Sequence, residues 1–317
     1  MVTTVGSTTV RQGPPLNADE APVVDVFDLD DEVLDVAHGR IKSMDTIPFA
    51  SFRCLTSLCL RQNQIKVITG LDVLAETLTA LDLYDNQITH IEGLSQLTKL
   101  TSLDLSFNKI KRIENLETLT NLTELFLVAN RISVIENLET LTQLTNLELG
   151  GNRVRVIENL DFPQLTHLWL GKNKIDKLQN LDKLPKLTCL SIQSNRILKL
   201  ENLEPLTQLD EFYISHNGLT KIEGLDANTR LTTLDISNNA IMTLENLGAL
   251  TQLEELWASY NQFASYQDVE DQLKDKSHLT TVYLEGNPLQ TNSAATYRNK
   301  IRLALPQLKC IDATYVR

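Results

Sequence analysis

Cysteine is scarce in this 317-residue chain, and the four present, Cys54, Cys59, Cys189 and Cys310, include no C-x-x-C pair. Their spacing supports neither a zinc site nor a disulfide framework, and free thiols point to a reducing compartment. Long apolar runs are missing too: no stretch approaches the roughly 18 residues that a membrane span needs. Met1 to Leu16 is polar and lacks the apolar heart of a secretory signal, so a place in the cytoplasm or the nucleus is expected. Positive charge is in deficit, with 29 Lys and Arg against 41 acids and a net charge of −12. Such a surface is poorly suited to displacing counterions from nucleic acid and disfavours anionic lipid, so neither is expected as a partner. A protein with a basic patch suits it better. No glycine-rich phosphate loop, H-E-x-x-H pair or nucleophile elbow occurs, and no cofactor or metal is expected.

What is present is repetition. The pattern L-x-x-L-x-L-x-x-N recurs eleven times with occasional substitutions, marked by Asn63, Asn86, Asn108, Asn130, Asn152, Asn173, Asn195, Asn217, Asn239, Asn261 and Asn287. Successive spacings are 23, 22 three times, 21, 22 four times and 26. Leu125 and Leu127 alternate with Glu124, Phe126 and Val128, the period of a strand with one buried face. Asn130 follows where the chain turns, placed to satisfy backbone groups left inside. Ile132, Ile135, Leu138 and Leu141 recur every third residue, as a 3₁₀-like segment requires. Asn or Gly stands at 93, 115, 137, 159, 180, 202, 224 and 246, an interchange that selects for positive φ. The pattern therefore predicts an α/β leucine-rich-repeat solenoid. It is a horseshoe with a concave parallel β-sheet, short 3₁₀ turns on the convex side and a C-terminal helical cap.

Four segments follow. Residues 1–32 read as an acidic, disordered tail: eight acids and no Lys or Arg lie between Asn17 and Val36. Residues 33–54 imitate the repeat with Gly39 in place of Asn, an irregular N-terminal cap. Residues 55–289 are the solenoid of eleven Asn-marked repeats. Residues 290–317 form the C-terminal cap, with an amphipathic helix through Tyr297, Ile301, Leu305 and Leu308 that Pro306 would cut short. A short helix is also expected over Asp268–Lys276. Lys109, Arg131, Arg153, Lys174 and Arg196 each follow their repeat's Asn, and Glu92, Glu114, Glu136, Glu158, Glu201, Glu223 and Glu245 form a convex column. Mutual compensation of these two rims is the expectation, with a basic stripe for an acidic ligand as the alternative.

The residue between the last two leucines of each repeat points out of the concave sheet. This column reads Cys59, Asp82, Asp104, Phe126, Glu148, Trp169, Ser191, Tyr213, Asp235, Trp257 and Tyr283. Five of the eleven are aromatic in a chain that is 5% aromatic, so the enrichment calls for a cause beyond strand preference. Glu124, Glu211, Glu255 and Glu285 flank the column, and Arg61 is its one nearby cation. Aromatics interleaved with acids have the composition of a protein interface with a steering rim. His167 and Cys189 fall on neighbouring coils and form the one pair worth testing as a nucleophile and base. The other histidines are scattered, and an enzyme is not expected.

Several segments resemble the 22-residue-repeat regulatory subunit family of type-1 protein phosphatase: LCLRQNQI (58–65), LDLYDNQI (81–88), LFLVANRI (125–132), LGKNKIDKLQNL (170–181), YISHNGL (213–219), VYLEGNPLQ (282–290) and IDATYVR (311–317). The resemblance runs from about residue 33 onward. It implies a non-catalytic subunit, monomeric when free, whose concave face grips the phosphatase catalytic subunit, often alongside a further inhibitor subunit. It also implies residence in nucleus and cytoplasm and links to the cell cycle and mitosis. Family contact positions fall on Asp104, Phe126, Glu148, Trp169, Asp235, Glu255, Trp257 and Tyr283, to which the aromatic column adds Tyr213. Trp169 departs from the family's usual Phe. The alternative is a generic leucine-rich-repeat scaffold or cytoskeletal adaptor for an unrelated basic protein. A bacterial surface adhesin fits less well, given the polar start of the chain.

Overall fold

The computed structural model describes residues 27–316. Within them, three-residue strands repeat once per coil: β1 Val33–Asp35, β2 Ser57–Cys59, β3 Ala80–Asp82, β4 Ser102–Asp104, β5 Glu124–Phe126, β6 Asn146–Glu148 and β7 His167–Trp169, followed by β8 Cys189–Ser191, β9 Glu211–Tyr213, β10 Thr233–Asp235, β11 Glu255–Trp257 and β12 Thr281–Tyr283. They stack in chain order as one parallel sheet, each strand paired with the next. The registers are uniform, so Leu103, Leu125, Leu147 and Leu168 lie side by side beneath the sheet, and Asp104, Phe126, Glu148 and Trp169 lie side by side above it.

Burial drives this stacking. In the coil around Asn130, the side chains of Leu125, Leu127, Ile132, Ile135, Leu138 and Leu141 are all fully buried. Each is worth roughly 1.5–3 kcal/mol when fully removed from water. One coil cannot enclose them alone, and neighbours on both sides complete the core. The convex side carries three-residue 3₁₀ segments at Met44–Thr46, Phe49–Ser51 and Asp72–Leu74. Later coils keep isolated bonds of the same i→i+3 kind, as where Leu119 N donates to Leu116 O at 3.0 Å and Leu122 N to Leu119 O at 3.0 Å.

The repeated Asn closes the polar account inside. Asn130 Nδ2 donates to Leu105 O at 2.9 Å, Leu127 O at 3.2 Å and Val128 O at 3.3 Å, and its Oδ1 accepts from Ile110 N at 3.0 Å. The same set of bonds recurs along the array, beginning with Asn63, which serves Val36 O and Ile41 N of the N-terminal cap. Gly39, where the cap lacks its Asn, lies so close that an added Cβ would stand 3.3 Å from Asn63 Oδ1.

The second Asn/Gly column adopts positive φ as expected, from +56° to +59° at Asn115, Asn137, Asn159, Asn180, Asn202 and Asn246 and +68° to +69° at Gly93 and Gly224. Its Asn side chains do more than tolerate the turn: Asn115 Nδ2 donates to Ile91 O at 2.6 Å and Asn137 Nδ2 to Ile113 O at 2.7 Å, a second amide ladder on the convex side. At Gly93 the preceding coil comes nearer, and a Cβ would meet Ile68 O at 2.3 Å. A third ladder runs through threonines ahead of the strands, where Thr101 Oγ1 donates to Thr79 O at 3.1 Å and Thr123 Oγ1 to Thr101 O at 3.0 Å.

Both ends are closed. Residues 27–32, expected as the end of the tail, pack instead on the first coil. Phe27 lies 5.9 Å from Phe52 between ring centroids, and Arg53 N donates to Leu29 O at 3.1 Å. Residues 1–26 of the expected tail lie outside the described residues. At the other end, the short helix α1 spans Tyr266–Leu273, with Ser265 Oγ accepting from Asp268 N at 3.1 Å as its cap. Helices α2, Pro288–Thr291, and α3, Ala294–Ala304, follow the last coil. Helix α3 stops two residues before Pro306, and Tyr297, Ile301, Leu305 and Leu308 are buried. The sequence pattern did not indicate the final hairpin: β13, Cys310–Ile311, continues the parallel sheet and β14, Thr314–Tyr315, folds back antiparallel on it. Asp312 and Ala313 make the two-residue turn at φ +46° and +57°.

Candidate protein-binding face

All nine candidate residues lie on the concave sheet, eight of them in one column that runs from β4 to β12 and is interrupted by Ser191 on β8. There Cys189, Leu190 and Ser191 are all buried, and the face divides into two patches. The ninth, Glu255, sits two residues before Trp257 on β11.

The C-terminal patch is an aromatic bridge. Tyr213 and Trp257 stand two strands apart, about 9.6 Å along the sheet, yet their ring centroids approach to 5.9 Å. The rings lean together over Asp235, which is only 6% exposed. Tyr283 extends the bridge edge-on to Trp257 at 5.8 Å. Two glutamates hold the polar tips: Tyr213 Oη donates to Glu211 Oε2 at 2.9 Å, and Trp257 Nε1 to Glu255 Oε2 at 2.9 Å. Burial, together with the Glu211 carboxylate, pushes the Tyr213 hydroxyl above the ordinary tyrosine range, so it stays a donor. The rings are thereby pinned before any partner arrives, which lowers the ordering cost of binding.

The N-terminal patch is acidic. Arg61 crosses it, with Nε 2.9 Å from Asp82 Oδ2 and Nη2 3.6 Å from Asp104 Oδ2, and its guanidinium lies 4.6 Å above the centre of the Tyr84 ring. Tyr84 in turn packs on Phe107 at 4.8 Å. Neither aromatic belongs to the column read from the sequence, because Tyr84 lies two residues and Phe107 three residues beyond it. Farther along, Trp169 Nε1 donates to Asn146 Oδ1 at 3.1 Å, which orients the ring.

Some of the acidic bias has a local cause that the sequence pattern conceals. Asp35, Asp82, Asp104 and Asp235 each accept, through Oδ1, the backbone N–H two residues on, at 3.0, 3.0, 2.8 and 3.0 Å. Those N–H groups lie outside the strand ladder, and a short carboxylate at this place satisfies them. The aspartates are therefore built into the turn. Among the described residues no cation pairs with Glu148, Glu211 or Glu255, whose carboxylates carry the charge available to a partner.

Glu148 holds a raised carboxyl. Burial is the main cause, Asn146 offsets it with a hydrogen bond, and the nearby Asp104 and Glu124 charges add to it. The folded state thus holds this proton to higher pH than the unfolded chain does. Its contribution favours folding fully below the ordinary glutamate range and is lost as pH rises through the raised folded value. Glu148→Gln is expected to raise the urea midpoint at pH 7 and to lose that advantage in acid; unchanged midpoints across the range would contradict this.

His167 and Cys189 are paired in register between β7 and β8. The Cys189 thiol is nevertheless buried, and burial plus the Glu211 charge pushes it up to about 12, opposite to the need of a nucleophile. His167 Nδ1 faces its neighbour Thr166 Oγ1 at 2.8 Å rather than the thiol. No group of three or more His, Cys, Asp or Glu among the described residues is arranged to hold a metal ion.

A family model described as Leucine-rich repeat matches residues 49–150, and one described as Leucine Rich repeats (2 copies) matches 163–205 and 207–249. Protein phosphatase 1 regulatory subunit SDS22 of Schizosaccharomyces pombe is 54% identical over 55 residues, 17% of this chain and 17% of that protein. Its namesake in Saccharomyces cerevisiae is 51% identical over 87 residues, 27% of this chain and 25% of that protein. The matched segments thus span a quarter or less of these relatives' length. Among solved structures, an internalin of Listeria monocytogenes superimposes with a TM-score of 0.70 at 26% identity, covering 90% of this chain and 87% of that one. The chain is a leucine-rich-repeat protein, similar over its matched segments to the regulatory subunits of protein phosphatase 1.

Proposed function

We propose that this protein is a non-catalytic regulatory subunit that binds the catalytic subunit of type-1 serine/threonine phosphatase through its concave face. The observation that carries the reading is the pinned aromatic bridge Tyr213–Trp257–Tyr283 with Glu211 and Glu255 at its edge. Aromatic anchors supply the buried area of a hot spot, and carboxylates free of cations beside them select a basic partner surface. The relatives named as phosphatase 1 regulatory subunits support type-1 phosphatase as that partner. A further inhibitor subunit in the same complex, residence in nucleus and cytoplasm, and a role in mitosis belong to the same reading.

The test is affinity capture from a cell extract followed by mass spectrometry, then repetition with purified catalytic subunit. Wild-type protein is expected to recover the phosphatase. Glu255→Lys, which places a cation where a basic partner surface would dock, is expected to reduce recovery at least about ten-fold with an unchanged circular-dichroism spectrum. Recovery of a cytoskeletal or scaffold partner without phosphatase would favour the adaptor reading instead.

A further inference from the structure

The structure does not balance the two charged rims against each other. Two of the convex glutamates are served by cations four residues past the repeat Asn: Arg112 Nε lies 3.2 Å from Glu136 Oε1 and Lys177 Nζ 4.0 Å from Glu201 Oε1. The column directly after the Asn is left over. Lys109, Arg131, Arg153, Lys174 and Arg196 make no ion pair among the described residues, and all but the half-buried Lys174 are exposed.

These five cations are also held in register. The backbone N–H of each donates to a carbonyl of the preceding coil: Lys109 to Ile88, Arg131 to Ile110, Arg153 to Ile132, Lys174 to Val154 and Arg196 to Ile175, each at 2.8 Å. This is a second parallel ladder, outside the concave sheet, with one bond per coil. At about 4.8 Å per coil, the five positions span about 19 Å, and like charges so spaced repel unless something neutralises them. The same column holds Gln64 and Gln87 before the stripe and Gly218, Ala240 and Gln262 after it. The positive charge is therefore confined to five consecutive coils of a chain whose net charge is −12.

We infer that this stripe is a docking surface for an extended acidic segment of a partner protein, separate from the concave face. The exposed Lys111, Arg155 and Lys199 extend it toward the convex side, and Glu124 and Glu148 lie on the concave sheet. An extended peptide strand laid along the coils sets its carboxylates against the cations. A nucleic-acid duplex or a membrane plane reaches beyond them onto a chain whose net charge is −12. Arginine adds planar, two-point recognition of carboxylate at three of the five positions.

A fluorescein-labelled peptide of about eight alternating Glu and Ser residues, long enough to span the stripe, is titrated with the full chain and followed by anisotropy. Saturable binding that weakens as salt is added is expected. Arg131→Glu with Arg153→Glu should weaken it at least about ten-fold. Lys42→Glu with Lys300→Glu, an equal change of net charge placed off the stripe, should leave it unaltered. Urea midpoints confirm that both double variants are folded, and Arg131→Gln with Arg153→Gln should give an intermediate loss. The inference is overturned if the wild type shows no saturable binding or if the two Glu double variants behave alike. It is equally overturned if a single-stranded DNA oligonucleotide or phosphatidylserine vesicles bind the stripe as tightly as the peptide does.

Discussion

Replacing Asn130 with alanine is expected to lower the free energy of unfolding by about 3–5 kcal/mol. The side chain is 7% exposed and engages four backbone groups on two coils. Alanine removes all of these bonds, leaves Ile110 N facing an apolar interior and leaves Leu105 O with the Asn108 amide alone. The preceding residue, Ala129, adds to the cost because it sits at φ +54°, a conformation that Asn130 helps to hold. Urea unfolding followed by circular dichroism reads the change directly. Asn130→Asp is the informative companion: it keeps the acceptor for Ile110 N but turns the donor into an acceptor opposite three carbonyls, so it should be at least as damaging as alanine. A midpoint close to wild type for either variant would mean that buried water replaces the amide.

Trp257→Ala is expected to weaken capture of the phosphatase catalytic subunit by at least about 2 kcal/mol, roughly thirty-fold in Kd. Trp257 is the middle member of the bridge, so its loss removes the contacts to Tyr213 and Tyr283 together and uncovers Asp235. Glu255 also loses the indole N–H that now holds it. The ring lies on the outer face of the sheet, while Leu256 beneath it remains buried, so the fold should survive. Trp257→Phe restores an apolar ring without the hydrogen bond and should recover part of the affinity. Isothermal titration with purified catalytic subunit separates the cases. Wild-type affinity in Trp257→Ala would remove the bridge from the interface.

The solenoid itself was legible because its information is periodic. Buried leucines every two and three residues, and an Asn every 22, state strand, turn and coil without reference to distant parts of the chain. The Asn/Gly column was legible for a similar reason, since few residue types accept positive φ. Yet a second left-handed position precedes every repeat Asn, at Gln62, Asp85, Phe107, Ala129, Lys172 and their equivalents. These residues share no chemistry. The Asn that follows, and the backbone bond to the next coil, impose the conformation on whatever side chain is present, so composition carries no trace of it.

The concave column was found by the same periodicity, but the meaning of its members was not. Spacing cannot tell an aspartate that closes a turn, such as Asp235, from a glutamate that faces outward, such as Glu148. Nor does it tell that Arg61 lies across Asp82 and Asp104, or that Tyr213 reaches Trp257 over an intervening strand. Those facts depend on side-chain length and on which neighbours lean together. The IDATYVR segment was recognised by resemblance alone, and the structure supplies its physics. Asp312 Oδ1 accepts from Leu284 N at 2.8 Å and Glu285 N at 3.0 Å, and its Oδ2 receives the Tyr297 hydroxyl at 2.6 Å. Arg298 holds Ile311 O and Thr314 O at 2.9 and 2.8 Å.

The three side-chain ladders share a direction. Asn130 reaches back to Leu105, Asn115 to Ile91 and Thr123 to Thr101, so each coil completes the one before it and leaves its own completion to the next. The debt passes coil by coil to the last one, where the Asp312 carboxylate accepts from Leu284 N as a backbone carbonyl of the following coil does elsewhere. Such an array is a polar filament with a terminator: internal coils can be gained or lost as interchangeable units, while opening it from the C-terminal end leaves every newly exposed coil as incomplete as the last.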